Sequence, residues 1–101
     1  MVAYVIADID VTDPERFDAY RKLVPATIEH FGGRYVVRGG GISPLEGDWS
    51  PARIVIVEFP DAERAKQWLE SPEYAPARRI RQESASTDMI LVDGLPPPAS
   101  Q

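Results

Sequence analysis

Apolar side chains on both sides of the predicted strands constrain the fold of this chain more than any other feature of its sequence. Strands rich in Val, Ile and Tyr are predicted at residues 2–11, 34–38, 53–59 and 88–92. Successive side chains of a strand point to opposite faces of a sheet. In the third strand Ile56 points to one face and Val57 to the other, and both residues are apolar. An antiparallel sheet with one face in water would alternate apolar with polar residues, so both faces are predicted to be buried.

A helix is predicted between the first two strands. In one alternative it begins with Asp13 as N-cap and Pro14 at the first helical position. In the other, Thr12 and Glu15 form a capping box. The glycine pair at 32–33 ends the helix, because a left-handed backbone is favourable chiefly for glycine. The apolar face of this helix comprises Phe17, Tyr20, Leu23, Val24, Ile28 and Phe31.

The remaining helical signals complete the order of elements. Pro25 lacks a backbone donor and is predicted to kink or split the first helix. Asp61 caps a second helix whose apolar face includes Trp68 and Leu69, and a further helical segment follows over residues 71–84. The order β-α-β-β-α-β predicts an α+β, ferredoxin-like domain, with a four-stranded antiparallel sheet and two helices on one of its faces.

The second apolar face of this sheet needs a partner. Its own two helices cover one face, and monomers rarely expose apolar patches larger than a few hundred Å². We therefore predict a homodimer in which two protomers pack sheet to sheet. A single domain is predicted over residues 1–95, and the proline-rich tail at 96–101 is predicted to be extended or disordered.

Composition and charge argue against several classes of function. The formal net charge of −5 argues against nucleic acid as a partner, which would require a dominant basic face. The sequence contains no cysteine, which rules out disulfides and cysteine metal sites and fits a cytoplasmic location. Residues 2–11 lack the basic start of a signal peptide. They also fall well short of the ~20 residues that span a bilayer, so no membrane partner is predicted.

The segment RGGGISPLEGDW, residues 38–49, contains three consecutive glycines. It lacks the Gly-Lys-Ser/Thr ending of a phosphate-binding loop, and its single occurrence in an acidic chain argues against an RNA-binding tail. The glycines are therefore predicted to reverse the chain between the second and third strands, in a loop over residues 39–52. Loops of this length are often functional. Trp49 is predicted either to lie buried at the mouth of a pocket or to anchor the loop.

Charged residues on the strands are predicted to gather at the two ends of the sheet. At the end beside the glycine loop lie Asp8, Asp10, Arg38 and Arg53, and at the opposite end lie Glu58, Arg34 and Tyr4. Charges inside an apolar sheet must be paired or functional, and structural Asp–Arg or Arg–Glu bridges are the favoured interpretation. In the functional alternative Arg38 anchors a ligand carboxylate or enolate, because a planar guanidinium matches planar anions.

Two further candidates lie in the helical regions. Tyr74, Arg78 and Arg81 share one helical face. They are predicted either to bind an anion or, as the favoured alternative, to form a solvated basic strip paired with acids such as Glu73. His30, the only histidine, is a candidate general base in the last turn of the first helix, where a structural role is favoured. A lone histidine predicts no metal site, and no cofactor is predicted.

Several segments also resemble a known family. They are YVIADIDVTDPERF, FGGRYVVRGG, LEGDW, RIVIVEFPDAERAKQWLESPEYAPARRIR and LVDG, in order over residues 2–94. This pattern is similar to the family of domain of unknown function 1330. The resemblance implies the dimeric α+β barrel superfamily, in which two ferredoxin-like protomers face each other through their sheets. Relatives in that superfamily include cofactor-free monooxygenases, muconolactone isomerase-like enzymes and haem-handling proteins, so the resemblance implies no single reaction.

These observations predict a small-molecule site between the sheet and the helices or between the two sheets. The function expected of it is cofactor-free enzymatic action on, or binding of, a small organic acid or an aromatic or lactone-like ligand. The alternative is a non-catalytic homodimer that sequesters a ligand or only assembles. The candidate catalytic residues are His30, Arg38 and Tyr74, and the candidate ligand-binding residues are Arg38, Trp49, Tyr74, Arg78 and Arg81.

Overall fold

The computed structural model of this chain describes residues 1–96, which form four strands and three helices. The predicted proline-rich tail at 96–101 lies, apart from its first residue, outside the described residues. In chain order the elements are β1 (Ala3–Val11), α1 (Pro14–His30), β2 (Arg34–Arg38), β3 (Ile54–Phe59), α2 (Ala62–Glu70), α3 (Ala75–Ser84) and β4 (Ala85–Asp93).

The four strands form one antiparallel sheet in the order β2-β3-β1-β4. This arrangement is ferredoxin-like, as the sequence predicts. The central strands pair in register from Ala3 opposite Phe59 to Asp8 opposite Ile54. β2 pairs with β3 irregularly, because a bulge between Tyr35 and Val37 shifts its register. The bulge determines on which face of the sheet the last side chain of β2 lies.

The first helix begins as one of the two alternatives predicts. The carboxylate of Asp13 accepts a hydrogen bond of 3.1 Å from the amide of Arg16, and Pro14 occupies the first turn. The helix ends at His30, and Gly32 then adopts a left-handed φ of 79°. Of the predicted kink or split at Pro25, the split is wrong, since one α-helix runs through this residue.

The second helix and the third are separated by a short turn. Asp61 caps α2 by accepting a hydrogen bond of 2.8 Å from the amide of Arg64. Ser71 ends α2, and its hydroxyl accepts a 3.1 Å hydrogen bond from the amide of Tyr74, just before α3 begins. β4 follows α3 without a loop and begins at Ala85, three residues before the predicted strand.

The helices pack on one face of the sheet. From β1 that face receives Ala3, Val5, Ala7 and Ile9, and from α1 it receives Phe17, Tyr20, Val24 and Ile28. Leu23 was expected on the buried face but is 47% exposed. It lies roughly 100° around the helix from the centre of that face, so the apolar stripe is narrower than the sequence predicts.

A chain of hydrogen bonds crosses the core beneath the helices. The hydroxyls of Tyr20 and Tyr74 lie 2.9 Å apart, and the Nε of Arg81 donates to the Tyr74 hydroxyl at 3.3 Å. Tyr74 is fully buried and Arg81 is 7% exposed. The favoured prediction of a solvated basic strip is therefore wrong for these two residues, because the helical face that carries them turns into the core.

The opposite face of the sheet carries apolar side chains that no helix of residues 1–96 covers. Ile90 is 59% exposed and Val92 is 40% exposed on this face. Tyr4, Ile6, Val37, Ile54 and Ile56 lie beside them by strand register. We call this surface the outer face. No helix within residues 1–96 has both the length and the hydropathy needed to cross a membrane.

Removal of the Tyr74 hydroxyl tests the hydrogen-bond chain. In Tyr74→Phe, Arg81 and Tyr20 lose their buried partner, which should cost about 1–3 kcal/mol of unfolding free energy in urea denaturation. Tyr4→Phe is the matched control, because Tyr4 bonds Glu58 at 3.1 Å on the outer face and Glu58 keeps Arg34 as a partner. Equal stability losses in the two variants would contradict a specific role for the buried chain.

Candidate functional site

An apolar cleft lies between α1 and the helix side of the sheet. Its walls include the rings of Phe17, Tyr20, Tyr35 and Trp68, together with Val, Ala and Ile side chains from β1 and β3. The volume of this space is about 40 Å³, which is room for roughly three water molecules. We call this space the cleft. It has the chemical character of small-molecule sites, which are mostly apolar with a few polar groups placed around them.

Three arginines converge on the cleft from different parts of the chain. Arg21 comes from α1, Arg38 ends β2, and Arg53 precedes β3. Within residues 1–96 none of the three forms an ion pair with a carboxylate. Burial and the positive charges of Arg21 and Arg38 lower the pKa of Arg53. Neighbouring cations without a counter-charge make a strong site for an anion.

Pro25 helps to hold one of these arginines in place. Pro25 has no backbone N–H, so the carbonyl of Arg21 lacks the usual helical donor four residues later. The guanidinium of Arg38 lies 3.4 Å from that carbonyl and donates to it. Pro25, which was predicted to kink or split the helix, therefore leaves a backbone acceptor for Arg38 at the end of β2.

Aromatic rings also orient the arginines. The guanidinium of Arg38 stacks over the ring of Tyr35 at 4.5 Å from its centroid, and that of Arg21 lies 6.0 Å from the ring of Phe17. Burial raises the pKa of the Tyr35 phenol, so the ring stays neutral at physiological pH. A neutral ring beside a cation leaves the positive charge uncompensated.

The first of the three consecutive glycines serves the geometry of Arg53. Gly39 has a φ of 69°, which other residues rarely adopt. A Cβ atom built there would lie 2.5 Å from the Cζ of Arg53. Gly40 and Gly41 meet nothing within 4 Å. Of the three consecutive glycines, only Gly39 therefore has a steric role, because it lets the backbone approach the guanidinium of Arg53.

The predicted Asp–Arg bridge is replaced by a backbone contact. Asp8 lies on the outer face, and its carboxylate accepts hydrogen bonds from the amides of Ala52 and Arg53 at 3.0 and 3.3 Å. Arg38 faces the helix side, because the bulge in β2 places it opposite Val55. The two residues thus lie on different faces of the sheet, and Asp8 anchors the loop end without neutralising an arginine.

The predicted Arg–Glu bridge is present at the other end of the sheet. Arg34 donates to Glu58 at 2.8 Å, and the hydroxyl of Tyr4 donates to the same carboxylate. The hydrogen bond from Arg34 holds the pKa of Glu58 below its usual value. This group satisfies its own charges and lies away from the cleft, so it has a structural role.

The other candidates lie outside the cleft. His30 is exposed and packs edge-on against Phe31, with ring centroids 5.0 Å apart. Trp49 is 67% exposed and does not line the cleft, so it is buried neither at the mouth of that space nor as an anchor. Arg78 pairs with Glu70 at 3.5 Å, where the sequence suggested Glu73. The loop residues 40–50 are all exposed, which explains the position of Trp49.

Arg21 and Tyr35 are cleft residues that the sequence reading missed. Arg21 falls at the helical spacing of Phe17 and Val24. A charged residue on the apolar stripe of α1 therefore indicates a residue that lines the cleft. For Tyr35 the sequence predicts only a position in the second strand. Residues 1–96 contain no group of three or more His, Asp or Glu side chains that could hold a metal ion.

The fold and the cleft define a ferredoxin-like α+β protein with a cationic, aromatic-lined site. The chain belongs to the family described as Domain of unknown function (DUF1330), whose model matches residues 2–95. This match confirms the resemblance found in the sequence. No curated protein matches the chain in sequence.

Solved structures share the fold at low sequence identity. A protein of unknown function from Rhodopseudomonas palustris has a TM-score of 0.75 and 22% identity, covering 95% of this chain and 84% of that chain. SnoaB, a cofactor-independent oxygenase from Streptomyces nogalater, has a TM-score of 0.64 and 16% identity, covering 98% and 97%. A dimeric ferredoxin-like protein of unknown function from Bacteroides fragilis has a TM-score of 0.58 and 18% identity, covering 92% and 96%. Such likeness establishes the fold alone.

A substitution at Gly39 tests how the loop positions Arg53. Gly39→Ala should cost about 1–2 kcal/mol in urea unfolding because of the positive φ. It should also shift the side-chain Nε–Hε signal of Arg53 in NMR spectra, since the new methyl group displaces the guanidinium. Gly40→Ala is the matched control and should change neither quantity appreciably. An unmoved Arg53 signal in Gly39→Ala would contradict the close approach.

Proposed function

We propose that this protein binds a small organic anion with an aromatic or apolar body in the cleft. The observation that carries the proposal is the convergence of Arg21, Arg38 and Arg53 without a carboxylate partner among the described residues. A carboxylate, phenolate or enolate supplies the missing charge and accepts paired hydrogen bonds from guanidinium groups. The rings of Phe17 and Tyr35 offer apolar surface to the rest of the ligand.

Ligand entry requires the cleft to widen. Its volume of about 40 Å³ is smaller than that of an aromatic acid, and occupied small-molecule sites are typically at least ~300 Å³. Arg21 and Arg38 are exposed at the mouth, so rotation of their side chains opens it without unfolding the core. A ligand that pairs with both guanidinium groups stabilises the open arrangement.

Catalysis in the cleft is a second candidate function. The guanidinium cluster favours the anionic form of a bound phenol or enol, because neighbouring cations lower the pKa of an acid. Such an electron-rich anion suits chemistry without a cofactor, and SnoaB is a cofactor-independent oxygenase. No Asp, Glu or His of residues 1–96 lines the cleft, and burial raises the pKa of Tyr20. Because no side chain that residues 1–96 contribute to the cleft is suited to remove a proton, the substrate would have to enter already as its anion. Binding is therefore the better-supported function.

The assembly we propose is a homodimer that buries the outer face. Ile90 and Val92 are exposed there beside the apolar residues of β1 and β3, and a dimeric protein shares the fold. The cleft lies on the helix side of the sheet, so each protomer keeps its own site in such a dimer. The cytoplasmic location predicted from the absence of cysteine belongs to the same proposal.

Loss of the arginines should weaken binding of benzoate, a small aromatic carboxylate. In isothermal titration calorimetry, Arg38→Met and Arg53→Met should each lower the benzoate affinity about tenfold, since a hydrogen bond to a charged group contributes about 1.5–3 kcal/mol. Affinity should also fall as salt concentration rises. Arg79→Met, an exposed arginine on α3, is the charge-matched control and should bind as the unmodified protein does. Equal affinity for benzoate and neutral benzamide would overturn the proposal.

A charge on the outer face should disrupt the dimer. Ile56→Asp places a carboxylate on the proposed interface and should yield a monomer or insoluble protein, measured by sedimentation or light scattering. Leu45→Asp is the control, because Leu45 is 95% exposed in the loop and should leave the assembly unchanged. A soluble, unchanged dimer of Ile56→Asp would show that the protomers meet through another surface.

A further inference from the structure

A second space, larger than the cleft, lies on the helix side of the sheet along β4. It is bounded by α2, α3 and β4 and has a volume of about 570 Å³. Small-molecule sites typically fall in the range of roughly 300–1,000 Å³. Leu69, Met89 and Leu91 give it an apolar wall, and Arg78, Arg81 and Thr87 supply polar groups. We call this space the β4 groove.

The buried charge of Arg81 is the feature of the β4 groove that most requires an explanation. It is only 7% exposed, and no carboxylate of residues 1–96 forms an ion pair with it. Its one hydrogen bond within the described part of the chain runs from Nε to the hydroxyl of Tyr74. A buried guanidinium without a counter-charge is costly, and an anion in the groove removes that cost.

Two more polar atoms of the groove lack a partner in the described residues. They are the Nε of Arg78 and the Oγ1 of Thr87, both buried. The other end of the Arg78 side chain is engaged, since Nη1 donates to the carbonyl of Leu69 at 3.2 Å and pairs with the carboxylate of Glu70 at 3.5 Å. The guanidinium N–H groups and the threonine hydroxyl are all hydrogen-bond donors. A carboxylate is an acceptor that can bind several such donors at once.

We propose that the β4 groove binds an organic monocarboxylate with a flexible apolar chain. Arg81, with Arg78 and Thr87, holds the carboxylate, and the chain lies against Leu69, Met89 and Leu91. This site is separate from the cleft, because none of Arg21, Arg38 and Arg53 lines the groove. Trp68 forms part of the wall between the two spaces, since it lines both. The proposal stands independently of the function of the cleft.

Titration with octanoate, followed by ¹H–¹⁵N NMR of the full chain, tests this site. The protein carries Arg38→Met and Arg53→Met, so that the cleft does not compete for the probe. We expect saturable shifts of the Nε–Hε signals of Arg78 and Arg81 and of the Thr87 amide. Octanamide, the neutral analogue, should bind at least about tenfold more weakly, because it lacks the charge that Arg81 needs.

Two substitutions separate binding from folding. Arg81→Met should abolish the octanoate shifts, with Arg79→Met as the control that keeps them. Because Arg81→Met also removes a core hydrogen bond, Thr87→Val provides an independent test. It removes a buried hydroxyl without a partner, so stability in urea should be unchanged or higher while octanoate affinity falls severalfold.

Three results would overturn the proposal. One is the absence of octanoate-induced shifts at the three reporter groups. This result includes the case in which their signals change only when the protein is diluted, which would show that a second copy covers the groove. Another is equal affinity for octanoate and octanamide, which would make the groove an apolar surface without anion recognition. The third is unchanged octanoate affinity in both Arg81→Met and Thr87→Val.

Discussion

Hydrophobic packing of three helices on one face of a four-stranded sheet is the interaction on which the rest of this structure depends. It buries Val5, Ile9, Val57 and Phe59 against the aromatic side of α1 and α2. Because the helices lie on one side only, Ile90 and Val92 remain exposed on the other. The same packing leaves spaces beneath the helices where side chains do not fill the layer. The proposed dimer surface and the cleft therefore lie on opposite faces of the sheet, whereas the β4 groove reaches the edge strand, where Ile90 of the outer face also lines it.

The arginine cluster lowers the stability of the fold when no ligand is bound. Three like charges that face one space repel each other, and the lowered pKa of Arg53 reflects both this repulsion and partial burial. The local sequence nevertheless supports the arrangement. Pro25 leaves the carbonyl of Arg21 to accept from Arg38, and Gly39 lets the backbone pass beside Arg53. Features that hold cations together without acids are more consistent with ligand binding than with stabilisation of the fold.

The fold was predictable because its signals are local. Runs of apolar residues give the strands and their two apolar faces, and Asp13, Pro14 and Gly32 mark both ends of the first helix. The sequence places Arg53 and Arg38 at the same end of the sheet and indicates a ligand-binding role only for Arg38. Its orientation depends on a bulge between Tyr35 and Val37, which has no sequence signal as clear as a cap or a turn. Trp49 was misread because loop length does not reveal whether the loop folds back onto the core. Tyr74 and Arg81 were misread because the arginine-rich face of α3 turns inward, where a tyrosine hydroxyl rather than an acid receives Arg81.

The two proposed sites meet in the core. Tyr20 lines the cleft and Arg81 lines the β4 groove, and Tyr74 joins them by hydrogen bonds at 2.9 and 3.3 Å. Trp68 also lines both spaces and stacks on Tyr74 with ring centroids 4.1 Å apart. A ligand in one space therefore touches groups that are one or two contacts from the other. This proximity makes the position of a bound ligand more informative than its affinity.

The central claim is that Arg21, Arg38 and Arg53 form the anion-binding end of the cleft. It is tested most directly by a crystal structure of the protein with 4-bromobenzoate, in which the anomalous signal of bromine locates the ligand. We expect a bromine peak inside the cleft, with the carboxylate within hydrogen-bonding distance of at least two of the three guanidinium groups. A well-occupied ligand found only elsewhere, with the three arginines unchanged, would contradict the account.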